Sequence, residues 1–107
     1  MAVLTVQEIS RSGLTPSYDS AAAGGDEVAN DEITFLHVKN GSGGSIDVTI
    51  QTPGTIDGLA ITDRTVAVPA GEERMMGPFP AAYYGSSLAI SYSGVTSLTI
   101  AAIRLKK

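Results

Sequence analysis

The chain has no cysteine and no tryptophan, and it has a single histidine, His37. Without cysteine there is no disulfide framework and no thiolate nucleophile or soft metal ligand. With one histidine, any metal site would have to be built largely from carboxylates. Nowhere do eighteen apolar residues follow one another, so no spanning helix is expected and no membrane partner. The opening Met1-Ala2-Val3-Leu4-Thr5-Val6 carries no basic leader and does not read as a secretory signal. Basic residues are also scarce where acidic ones gather. Residues 1–32 hold Glu8, Asp19, Asp26, Glu27, Asp31 and Glu32 against Arg11 alone, a net of −5 in a chain whose total is −4. Phosphate backbones call for clustered Lys and Arg, so nucleic acid is not an expected partner.

What is present is strand grammar. Ser45 to Thr52 alternates without a break, placing Ile46, Val48 and Ile50 on one face of a pleated strand and Asp47, Thr49 and Gln51 on the other, and Pro53-Gly54 ends it. Ile33 to Lys39 is β-rich, and Asn40-Gly41-Ser42-Gly43-Gly44 follows as a turn that predicts a hairpin into the Ile46 strand. Further runs lie at 64–68, 74–79, 88–92 and 98–105, punctuated by Gly and Pro. The prolines of the 74–80 run confine it to a sheet edge or terminate it, residues 80–85 suit one helical turn, and the sparse polar positions of 100–105 predict that the last strand is central and covered on both faces. The expected fold is all-β: an antiparallel β-sandwich or jelly roll of six to seven short strands with an N-terminal arm.

The arm is expected over residues 1–30 and the sandwich domain over 31–107. Thr15 to Asp26 is rich in small and turn-forming residues, too poor in apolar area to offset roughly 1–2 kcal/mol per residue of backbone entropy. Val3 to Ile9 fits a strand or one short helix. It fits equally the first strand of the domain, with a long loop after it.

Candidate chemistry is thin. His37 lies between Leu36 and Val38 and reads as an exposed or hydrogen-bonded strand residue rather than a general base. No Ser or Thr stands in a nucleophile-elbow context. The pairs Asp26-Glu27 and Asp31-Glu32 match no cation-loop spacing. No catalytic, metal or cofactor site is therefore expected, and no enzyme. Met75 and Met76 beside Phe79, Tyr83 and Tyr84 form either an adaptable contact patch or the end of the core. The basic tail 104–107 is read as a solubilising end.

Four segments together resemble small structural proteins of tailed bacteriophages: Thr34 to Gly41, Val66 to Gly71, Gly77 to Pro80, and Tyr92 to Thr96. The resemblance implies a virion component on the capsid exterior, made in the host cytoplasm. Its expected role is a decoration, or cement, protein whose partner is the major capsid protein and which is paired with itself as a homo-oligomer on the shell. The other roles open to such a fold are a head-tail connector, a tail terminator and a glycan-binding β module using Tyr83, Tyr84 and Tyr92. For a decoration role the expected contact residues are Val3, Leu4, Val6, Ile9, Leu14, Tyr18, Met75, Met76, Tyr83 and Tyr84. Strand addition by Val3 to Ile9 would dock the arm, so deleting residues 2–14 is expected to abolish binding and leave the domain folded.

Overall fold

The computed structural model describes residues 2–53, 55–60 and 62–105. Lys106 and Lys107, the charged end of the expected basic tail, lie outside the described residues.

The fold is an all-β sandwich. In chain order the strands are β1 (Ala2–Leu4), β2 (Val6–Ile9), β3 (Asp19–Ser20), β4 (Asp26–Ala29), β5 (Thr34–Asn40), β6 (Ile46–Ile50), β7 (Thr55–Ile56), β8 (Leu59–Ala60), β9 (Arg64–Val68), β10 (Glu73–Met76), β11 (Ser87–Tyr92) and β12 (Leu98–Leu105), with one helical turn, α1 (Ala81–Tyr84), before β11. The first sheet runs β1-β4-β11-β6-β9. The second runs β10-β5-β12-β2, with β3 also paired to β12. As the prolines predict, β10 is an edge strand, and β12 is central as its apolar sequence predicts.

Alternation decides what faces inward. Ile46, Val48 and Ile50 of β6 are buried while Asp47 is exposed, and Leu88 and Ile90 of β11 do the same for their strand. They meet Leu36, Val38, Leu98 and Ile100 from the second sheet in one core. Each such aliphatic side chain withdrawn from water contributes about 1.5–3 kcal/mol.

The structure departs from the sequence reading in four respects. The sheets are mixed rather than antiparallel, because β1 runs parallel to β4 and β2 parallel to β12. The strands number twelve among the described residues rather than six or seven. Four lie in the N-terminal thirty residues, and β7 and β8 form a small hairpin whose Asp57-Gly58 turn has φ of 53° and 77°. The expected β5–β6 hairpin is absent: β5 pairs with β10 and β12, and β6 with β11 and β9, so residues 41–45 cross between sheets. None of Gly41, Gly43 and Gly44 takes a positive φ. The crossing is held by the buried side chain of Asn40. Its Nδ2 donates to the carbonyls of Gly44 and Val68 at 2.8 and 2.9 Å, and its Oδ1 accepts from the backbone and hydroxyl of Ser42.

The fourth difference concerns the segment expected as an arm, which is built into both sheets. Leu4, Ala21 and Val28 belong to the core, and β2 covers one edge of β12. The small residues at 19–26 cost the segment apolar area, but they let it cross tightly between sheets. Ala21 N–H donates to the Leu98 carbonyl at 2.9 Å, and Gly25 N–H to that of Ala22.

Candidate functional site on the outer face of the second sheet

The outward positions of the second sheet follow from its register. Met75, His37 and Ala101 lie abreast, and Phe35 lies beside Ile103 one step along. At the far end of the face, Leu105 lies beside Ile9. The returning N-terminal segment covers part of this face. Ile9, Leu14, Pro16 and Tyr18 bound a small depression of about 230 Å³ floored by Phe35, His37 and Ile103. Gln7 clamps that segment with two side-chain bonds to Ser17, Nε2–H to the carbonyl at 2.7 Å and Oε1 from the amide at 2.8 Å. Met75 and Phe35 are shared with a second depression of about 450 Å³ that continues past Gly77 and Pro78 to Ile33 and Leu105. The result is an apolar strip across the open half of the sheet. Met75 is 66% exposed and Leu105 61%, so the apolar area is presented to solvent rather than folded away.

One end of the strip is polar. The Tyr18 hydroxyl lies 2.7 Å from Nδ1 of His37, and Nε2 of His37 lies 2.7 Å from Oε1 of Glu73. With the ring proton on Nε2, His37 donates to Glu73 and accepts the Tyr18 O–H. The Tyr18 ring meets the imidazole edge to face at 5.4 Å, and Lys39 Nζ sits 4.0 Å from the Tyr18 centroid. Both imidazole nitrogens are thereby occupied. In this arrangement the trio acts as a latch that holds the N-terminal segment on the sheet.

Between Ile103 and Leu105, and turned by alternation to the opposite side of β12 from the strip, Arg104 binds Asp31 at 2.5 Å and Glu8 at 3.1 Å, joining β12, β2 and the loop before β5. Asp31 also accepts from the Thr34 hydroxyl at 2.7 Å. That bond first, and Arg104 second, hold the Asp31 carboxyl well below the usual carboxylate range, at about 2.

The expected contact residues fall into separate places. Ile9, Leu14, Tyr18 and Met75 come together on this face. Leu4 and Met76 do not, being 5% and 8% exposed in the core, because the inward register of β1 and β10 takes them there. Val6 is half-buried against the core, and Val3 is exposed on β1 in the other sheet. Tyr84 is buried against Phe79, with ring centroids 5.0 Å apart, whereas Tyr83 is exposed. Tyr92 lies away from both, hydrogen-bonded to Asp26. The three tyrosines therefore share no exposed face. The acidic pairs disperse as well: Asp26 is buried, Asp31 meets Arg104, and Glu32 accepts from the Ala81 amide at 3.3 Å. Among the described residues no three His, Cys, Asp or Glu side chains converge as a metal site would need, and no helix is long and apolar enough to cross a membrane.

Phe35, Leu105 and the Tyr18–His37–Glu73 latch are the features that sequence reading missed. The β5 alternation carried the signal for the first, since Phe35, His37 and Lys39 must share the face opposite Leu36 and Val38. Nothing local pairs Tyr18 with His37 across nineteen positions. Set against family models, curated proteins and solved structures, the chain matches none.

Proposed function

We propose that this protein is a virion structural component of a tailed phage, a decoration protein that docks on the assembled major capsid lattice through the outer face of its second sheet. The observation that carries the reading is the apolar strip of Ile9, Leu14, Phe35, Met75 and Leu105, presented on a rigid sheet with two of its members more than half exposed. The resemblance of Thr34 to Gly41 and Gly77 to Pro80 to phage structural proteins supplies the class of partner. At one end the strip is bordered by charges of both signs, Glu73 and Lys39, an arrangement suited to fixing orientation beside an apolar centre.

A shell offers the same surface many times, so weak single contacts suffice when every copy favours the assembled lattice over its unassembled parts. The sandwich provides a stiff platform that loses little conformational freedom on docking. The N-terminal segment has a different part here from the arm first expected. It lies on the sheet and borders the strip, through Ile9, Leu14 and the Tyr18 latch, rather than reaching away from the domain.

The test is co-sedimentation of the purified protein with expanded heads lacking it and with unexpanded precursor shells, using the native chain and the variants Met75→Asp and Leu105→Asp. Saturable binding to expanded heads that either variant removes, with both variants folded, is the expected result. Binding that both variants retain overturns the docking face. Failure to bind either shell, together with closed rings in sedimentation velocity, moves the role to a connector or tail terminator.

A further inference from the structure

We infer that the groove between α1 and the β9 edge is a binding site for a neutral sugar, a hexose-type unit of a glycan. The groove has a volume of about 450 Å³, within the range of small-molecule sites, and belongs to the first-sheet side of the sandwich rather than to the apolar strip. Its wall carries an unused polar group on a fixed frame. Tyr84 is 9% exposed, its ring is held edge to face against Phe79, and its hydroxyl has no hydrogen-bond partner among the described residues. That hydroxyl is not sealed from solvent, and Tyr84 lines the groove. A buried tyrosine normally finds a partner for its O–H, and here that partner is water or a molecule bound on the groove side.

The remaining lining says what kind of molecule would supply it. Asp63 is held through one oxygen, Oδ1, which accepts from the Thr52 amide at 2.9 Å and the Thr52 hydroxyl at 3.2 Å, leaving Oδ2 as a fixed acceptor. Arg64 follows it at the start of β9 with no ion-pair partner among the described residues, and offers donors. Thr62 adds a hydroxyl, Thr65 one that is shared with the Thr49 hydroxyl at 3.2 Å, and Tyr83, 43% exposed, adds an aromatic side chain. One carboxylate beside one guanidinium leaves the groove without net charge, which disfavours an anion. Alternating donors and acceptors around an aromatic face suit a polyhydroxylated ring, whose hydroxyls both give and accept while its C–H face stacks. The frame is preorganised: Asn30 Nδ2 ties the carbonyls of Phe79 and Gly85, on either side of α1, at 2.8 and 2.9 Å.

The experiment is a titration of ¹⁵N-labelled full-length protein, followed by amide shifts. The probes are methyl glycosides of glucose, galactose, mannose and N-acetylglucosamine, linear oligosaccharides of the same sugars, and sodium phosphate and acetate. Saturable shifts confined to residues 62–65 and 83–85 with at least one sugar are expected. Tyr84→Phe removes only the unpartnered hydroxyl and keeps the Phe79 contact, and it is expected to weaken that sugar about threefold to tenfold, the worth of one hydrogen bond. Asp63→Asn, which keeps the acceptor facing Thr52, is expected to weaken it as well. A tighter oligosaccharide than methyl glycoside identifies a polymer as the source, and equal affinities identify a free sugar. No saturable shift with any sugar, saturation by phosphate or acetate instead, or undiminished binding by Tyr84→Phe would overturn the assignment.

Discussion

The Tyr92 hydroxyl donates to Oδ2 of Asp26 at 2.5 Å, while Oδ1 of the same carboxylate is buried with no partner among the described residues. The bond joins β11 to β4 across the edge of the core. Apart from Tyr92, the carboxylate receives among the described residues only the Ala22 amide, at 3.2 Å. Tyr92 is thus the main compensation for a carboxylate with no exposed surface.

Alkaline pH should act through this pair. Burial first, and the bond to Asp26 second, push the Tyr92 phenol well above its ordinary value of about 10. The folded-state value is raised, so the stability it contributes is complete below about pH 10 and is lost as pH rises toward the folded value. Urea midpoints measured from pH 8 to 11.5 should fall with pH in the native chain. In Tyr92→Phe this share of the fall should vanish, on a baseline lowered by about 1–3 kcal/mol at neutral pH.

Acid should act through Asp31. Its carboxyl, held at about 2 by the Thr34 hydroxyl and then by Arg104, lies below the ordinary unfolded value of about 3.9. Its contribution is present above about pH 4 and is lost as pH falls through 2. Asp31→Asn should flatten the dependence of the urea midpoint between pH 4 and 2 and leave its shape at pH 7 to 9 unchanged.

The Asn40 crossing shows where sequence reading stops. Alternation told correctly which face of β6 is buried, because a period of two is a property of one strand. It could not tell which strand lies beside β6, because Asn-Gly followed by glycines suits a hairpin and a sheet-to-sheet crossing alike. The difference is made by the Val68 carbonyl, twenty-eight positions away, which receives Asn40 Nδ2. The candidate surfaces were legible to the same degree. Met75, Ile9 and Leu14 were marked by composition, while their meeting with Phe35 and Leu105 depends on the parallel placement of β2 beside β12. Asn40→Ala should cost about 2–3 kcal/mol by urea denaturation, since it leaves the Val68 carbonyl without that donor. A cost below about 0.5 kcal/mol would mean that the crossing is held by other contacts.

The N-terminal segment supplies the sharpest contrast between neighbours. Val3 and Leu4 are adjacent apolar residues of one strand, and alternation sends Val3 outward at 76% exposure and Leu4 inward at 5%. A free arm would make them equivalent for stability. In the sandwich, Leu4→Ala should cost about 2–4 kcal/mol through lost burial and the cavity left behind, whereas Val3→Ala should stay within about 0.5 kcal/mol. Deletion of residues 2–14, first expected to leave the domain intact, removes β1 and β2 together with Leu4. It should therefore lower the melting temperature sharply, and any loss of shell binding in that truncation would report on folding as much as on contact. Equal small effects for Val3→Ala and Leu4→Ala, with an unchanged melting temperature on deletion, would return the segment to the status of an arm.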